Sequence, residues 1–268
     1  MKPIQNAHRG YQFLLAILMA LAFAPTLIAV GPPQTRTRAA QPDIREIFLS
    51  LPIPQADLEE FQVVQALSDP GQRKALLEKT DFTAGDNVLD VPNGYLRIDI
   101  PIRLEGDGEG EPRLRRIVVT YFAKANGDRL VVVQLGNLYE YPDPILVDSY
   151  YLLAKGTFMR QEDSQHLPPI TFFGDFWGNQ PLPDKLVRTY QESLGDSAFY
   201  NIEWPRKGIV ATAHSYVPYC DTDTKEQNRV DRIIGRRQFE ALQLVWDKDK
   251  GVFVKGAKTR DNSKGKKP

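Results

Sequence analysis

Outside its first forty residues the chain has two histidines, His166 and His214, and one cysteine, Cys220. In HSYVPYC, Cys220 follows His214 closely enough for a tight hairpin to bring thiol and imidazole within hydrogen-bond reach. No cysteine-hydrolase motif surrounds it, and a buried inert thiol accounts for the same residues. There is no G-x-S-x-G, so Ser-His-Asp chemistry lacks a recognisable frame. A zinc site would need both histidines and carboxylates from distant segments. Three loops carry carboxylates: GDGEGE (106–111), DTDTKE (221–226) and DKDKG (247–251). None keeps the ligand spacing of a calcium loop, and solvated hairpin turns explain all three. No glycine loop ends in Gly-Lys-Ser/Thr, so no phosphate cradle is indicated. These residues predict no catalytic group, no metal and no cofactor.

The most unusual local feature is FFGDFWGNQ, where Phe172, Phe173, Phe176 and Trp177 crowd into a Gly/Pro-rich stretch. Two readings compete. The aromatics could pin a crossing segment as core between two parts of the chain. They could instead form a platform that stacks sugar rings or a nonpolar partner. The second reading assigns ligand binding to Phe173, Phe176, Trp177 and His214.

Several elements must position these residues. PDIREIFLSLP (42–52) has Asp43 as a cap and Ile44, Ile47, Phe48 and Leu51 on one helical face. ADLEEFQVVQALSDP (56–70) repeats that stripe, and SDPGQRKALLEK (68–79) predicts a third short helix with proline in its first turn. The period then drops to two. In YLRIDIPIRL (95–104), Leu96, Ile98, Ile100, Ile102 and Leu104 face one side, while Arg97, Asp99, Pro101 and Arg103 face the other. Pro101 predicts an edge or a bulge there. RLRRIVVTYFAK and DRLVVVQL read as strands joined at Asn126-Gly127, a strong hairpin signal. ILVDSYYLLAKGTFMRQE supplies a further pair around Lys155-Gly156. PDKLVRTYQESLG (183–195) reads as a helix, and strands return in AFYNIEW, GIVATAHSYV, RQFEALQLVWDK and GVFVKG.

The fold class expected is α+β, with antiparallel sheets and short helices packed on one face. FAKANGDRLVVVQLG (122–136) and VWDKDKGVFVKG (245–256) share hairpin chemistry, and element order repeats around them. Two similar α/β-meander halves are one reading of this; reuse of common hairpins is the other. The organisation expected is 1–40 signal and spacer, 41–162 N-terminal half, 163–183 connector, 184–256 C-terminal half and 257–268 disordered basic tail.

The chain has 268 residues, 42% hydrophobic and 25% charged, with a formal net charge of zero. Lys2, Arg9, Arg36 and Arg38 stand in a start without acidic residues, leaving 30 basic against 34 acidic beyond it. A mildly acidic body argues against nucleic acid as a partner. MKPIQNAHRGYQF is a basic n-region and LLAILMALAFAPTLIAV (14–30) an apolar core, the layout of an export signal; retention as an N-terminal membrane anchor is the alternative. A lone cysteine excludes an internal disulfide, and no Asn-x-Ser/Thr acceptor occurs. The protein is expected to be periplasmic or secreted.

The opening DIREIFLSLP and the entry NVLDVPNGYLRIDI into the sheet resemble, over the first half of the mature chain, a family of exported Bacteroidetes proteins of unknown function. The resemblance implies an envelope-facing protein and transfers no functional residue. The function expected is non-catalytic binding of a protein or glycan in the bacterial envelope. The rivals are a hydrolase built from scattered carboxylates and His214, and a purely structural envelope component.

Overall fold

The computed structural model describes residues 42–53, 65–102, 113–138, 145–177, 185, 200–215 and 239–260. The signal segment, the helical stripes at 56–64 and 186–195, the loops at 106–111 and 221–226, and Cys220 lie outside the described residues.

Asp43 caps the first helix, α1 (Ile44–Ser50), by accepting from the Arg45 amide at 2.9 Å. Asp69 does the same for α2 (Pro70–Lys79), accepting from Gly71 N–H at 2.7 Å, with Pro70 in the first turn where no amide is needed. Six strands follow: β1 (Val88–Asp90), β2 (Tyr95–Ile102), β3 (Arg113–Ala123), β4 (Arg129–Asn137), β5 (Ile145–Ala154) and β6 (Thr157–Gln161). They pair in chain order as an antiparallel meander. A second antiparallel sheet holds β7 (Tyr200–Glu203), β8 (Val210–Ser215), β9 (Glu240–Asp247) and β10 (Val252–Arg260), again in consecutive order. Two antiparallel sheets with a few short helices are what the period-two segments and capped stripes predicted.

The larger sheet is buried on both faces, and its central strands show why. Ile117 to Val119 and Leu130 to Val133 are apolar runs without alternation, and each of these residues is buried. Ile117, Val119, Val131, Val133 and Leu135 pack against Ile44, Ile47, Phe48 and Leu51 of the helical layer. Val118, Phe122, Leu130, Val132 and Tyr150 face the second sheet, meeting Ile202, Trp204, Leu242, Leu244, Trp246 and Phe253. Helices, six-stranded sheet and four-stranded sheet therefore form three layers with two apolar interfaces.

The turns carry detail that pattern alone missed. At the β3–β4 hairpin only Gly127 takes positive φ (93°), with its amide bonded to the Lys124 carbonyl. Asn126 instead uses its side chain, accepting from Asp128 N–H at 3.1 Å. The turn with two left-handed residues is Lys155-Gly156, at φ 49° and 80°. Gly251, φ 71°, closes the β9–β10 turn. Beyond Arg97, where its pairing with β1 ends, β2 has a strand partner among the described residues on one side only, β3. Pro101 accordingly sits on a locally open edge, where its missing N–H costs no ladder bond. One boundary needs correction: β10 runs on to Arg260, into the stretch read as a disordered tail. After a bulge between Lys255 and Lys258 its pairing with β9 resumes through Thr259↔Ala241.

Candidate functional site

The connector aromatics are core. Phe172 is 4% exposed, Phe176 0% and Trp177 2%, and together they join the apolar layer between the sheets. A turn of π-helix at Phe172–Phe176 winds them inward. Phe172 meets Phe239 edge-on at 5.3 Å, and Trp177 lies 6.4 Å from the same ring. The turn is held by Asp175, whose carboxylate accepts from Thr171 N–H at 2.7 Å and from Lys255 Nζ at 2.8 Å. Phe173 alone keeps partial exposure. A stacking platform needs exposed ring faces, and Phe176 and Trp177 have none to offer. His166 is likewise structural: it is buried, and its Nδ1 lies 3.1 Å from the Gly251 carbonyl, tying the connector to the β9–β10 turn. In DKDKG, Asp247 accepts from the amides of Asp249 and Lys250, so its carboxylate closes a hairpin turn.

His214 lies elsewhere, on a cleft of about 750 Å³ with a mixed polar and apolar lining. One wall is the inner face of the six-stranded sheet, with Tyr95, Arg97, Arg116 and Gln134. The other is β7, the loop after it and β8, with Glu203, Trp204, Arg206, Thr212 and His214. Gln134 crosses between the walls, donating to the Ile202 carbonyl at 2.8 Å.

The charged groups are held by partners behind the lining. Asp99 takes two bonds from Arg116, each at 2.8 Å, and one from Arg97 at 2.9 Å. Its side chain is only 8% exposed. Burial alone would raise the Asp99 carboxyl, but the bonds from Arg116 and Arg97 outweigh it and hold the group below the usual carboxylate range. Arg97 also reaches the surface carboxylate of Asp86 at 2.7 Å. Across the cleft, Arg206 bonds Asp90 at 2.6 Å and lowers its carboxyl. His214 Nε2 stands 3.5 Å from a Glu203 oxygen. That contact and the nearby arginines lower Glu203, yet its side chain is 80% exposed, so solvent screens the pair.

Asp148 sits behind Gln134 and Trp204. Its Oδ1 accepts from Gln134 Nε2 at 3.0 Å and from Trp204 Nε1 at 2.8 Å. The residue keeps some surface, but its carboxyl end is enclosed, and burial raises it to about 7 against the pull of those two bonds. Among the described residues no cluster of His, Cys, Asp and Glu has metal-binding geometry.

Of the residues named from the sequence as ligand-binding, His214 lines this cleft and Phe173, Phe176 and Trp177 do not; Arg97, Arg116 and Asp148 were not singled out. Arg97 and Asp99 share the polar face of β2, and the structure lines the cleft with Arg97 and pairs both residues with Arg116 or Asp86. A signal was present. Arg, Asp and Arg on adjacent strands at opposing positions (Asp99↔Arg116) are what a cross-strand ion-pair cluster looks like.

The fold and cleft define an antiparallel two-sheet α+β protein with a charged groove along the smaller sheet's edge. No protein-family model matches the sequence, and no curated protein matches it. The structure is similar to a solved domain of an uncharacterized protein from Porphyromonas gingivalis W83, with a TM-score of 0.48 and 12% identity over 80% of this chain and 98% of that one. That likeness brings no activity and no site residue to this chain.

Proposed function

We propose that this chain is an exported, non-catalytic binding protein of the bacterial envelope, and that its ligand occupies the cleft between the two sheets. The observation that supports the reading is the way the cleft arginines are fixed. Asp99, on the same sheet face, holds Arg97 and Arg116, and Asp90 holds Arg206. Polar groups fixed in advance lose little rotamer freedom when a ligand arrives, so more of the contact energy appears as affinity. Export rests on the basic n-region and apolar 14–30 segment, and on the resemblance to exported Bacteroidetes proteins. The ligand is a glycan or a small segment of another envelope protein.

The hydrolase reading is weaker. A general base needs an oriented partner and a nucleophile in reach. His214 has an exposed carboxylate at 3.5 Å, and Asp148 lies behind the lining rather than on it. A structural role accounts for the ion pairs but not for the cleft that they border.

The test is a thermal-shift panel of saccharides, organic acids and short peptides on the mature protein, repeated with Thr212→Trp, which fills the cleft. Compounds that stabilise the wild type and not the variant support the proposal. Turnover of ester, peptide or glycoside substrates that depends on His214 would replace it with the hydrolase.

A further inference from the structure

We infer that the ligand of this cleft carries carboxylate groups, which the guanidiniums of Arg97 and Arg116 bind together. This deepens the binding reading above and rests on it. Among the described residues, three arginines line the cleft, Arg97, Arg116 and Arg206, against one carboxylate, Glu203. The acids that partner them, Asp99, Asp86 and Asp90, are not part of the lining. Among the described residues the lining itself therefore carries more cationic than anionic groups.

The donors left over decide the chemistry. A guanidinium has five N–H donors in a planar fork. Arg116 directs Nε and one Nη nitrogen to Asp99. Arg97 directs one Nη nitrogen to both Asp99 and Asp86, and its Nε is buried without a hydrogen-bond partner. The second Nη of each arginine is not engaged by these acids. Arg97 faces Val118 and Arg116 faces Asp99 across the β2–β3 ladder, so the two arginines are diagonal neighbours on one face. Two like charges at that separation repel unless an anion lies between them. Asp99 supplies one from the same face, and Asp86, 2.7 Å from Arg97 and 3.9 Å from Arg116, supplies an exposed second; a ligand carboxylate supplies a third from the cleft. Planar forks match carboxylates in a way an ammonium does not.

Free organic acids and acidic sugars share this chemistry, and a titration separates them. Citrate, a trimer of galacturonic acid and the uncharged galactose trimer are added to the mature protein at low ionic strength, with tryptophan emission and melting temperature as readouts. Trp204 lines the cleft and reports occupancy. The expected result is a response to one or both acids and none to the neutral trimer. The response should weaken with salt, since exposed charges are screened beyond about 8 Å at physiological ionic strength. Glu203→Gln, at an exposed position, should tighten acid binding roughly threefold or more by removing a like charge. Arg116→Lys keeps the charge, loses the fork and should weaken binding about tenfold. Equal binding of the neutral trimer, indifferent to salt and to both substitutions, overturns the inference while leaving the cleft as a ligand site. No response to any of the three probes overturns the inference and counts against the cleft itself.

Discussion

The indole Nε1 of Trp204 donates to Oδ1 of Asp148 at 2.8 Å, joining the smaller sheet's edge to an inner-face position of the larger one. Because burial holds that carboxyl at about 7, this junction titrates. The unfolded carboxyl ionises near pH 4, so between about pH 4 and 7 the folded state binds more protons and stability falls as pH rises. Asp163 is raised by burial as well and adds to the same slope. Asp148→Asn keeps an acceptor for the indole and removes the buried charge. It is expected to match the wild type near pH 4 and to exceed it at pH 8 by up to about 3–4 kcal/mol. Urea denaturation across that range measures the difference.

Trp177→Ala should lower stability by about 3–5 kcal/mol, the usual cost of emptying a large aromatic core site. A melting temperature unchanged by the substitution, together with a quenchable Trp177 indole, would restore the stacking platform.

Gly94 has φ 64°, and a Cβ on it would come within 2.2 Å of the Tyr121 ring. Both the backbone and the space require glycine. Gly94→Ala is expected to cost at least about 1–3 kcal/mol from backbone strain alone, read as a shifted denaturation midpoint with an unchanged m-value.

Asp99→Ala leaves two arginines crowded on one face with only the exposed Asp86 near both. Removing one partner of a buried pair typically costs about 3–5 kcal/mol. If the cleft takes carboxylates, citrate should recover part of that loss, since it replaces the missing anion. Thermal melts with and without citrate read this directly.

The export proposal predicts that an expressing cell holds the protein outside the cytoplasm, shortened by the signal. Full-length protein in the cytosol would remove the envelope from the account.

Much of the architecture was readable because the signals were local. Asp43 and Asp69 announced helix starts, Gly127 and Gly156 marked turns, and Leu96 and Ile98 set the face of β2. The unbroken apolar runs of β3 and β4 also carried the information that the larger sheet is covered twice. The site was harder to read because its partners are far apart in sequence. Arg97 on a polar strand face looks the same whether it meets water or a neighbouring sheet. Asp148 becomes unusual only when Trp204, 56 residues away, closes over it. The connector failed for the opposite reason: dense aromatics beside glycine and proline suit an exposed platform and a pinned core equally, and only the packing of Trp177 toward Phe239 distinguishes them.

The central claim, that the ligand binds between the sheets, is tested most directly by the indole N–H signals of the three tryptophans during titration with the tightest binder from the panel. All three belong to the apolar core, but Trp204 also lines the cleft, and neither Trp177 nor Trp246 is part of the cleft lining. The account predicts that the Trp204 signal moves with occupancy while the other two stay in place. Movement of Trp177 with Trp204 unchanged would contradict it and return the site to the connector.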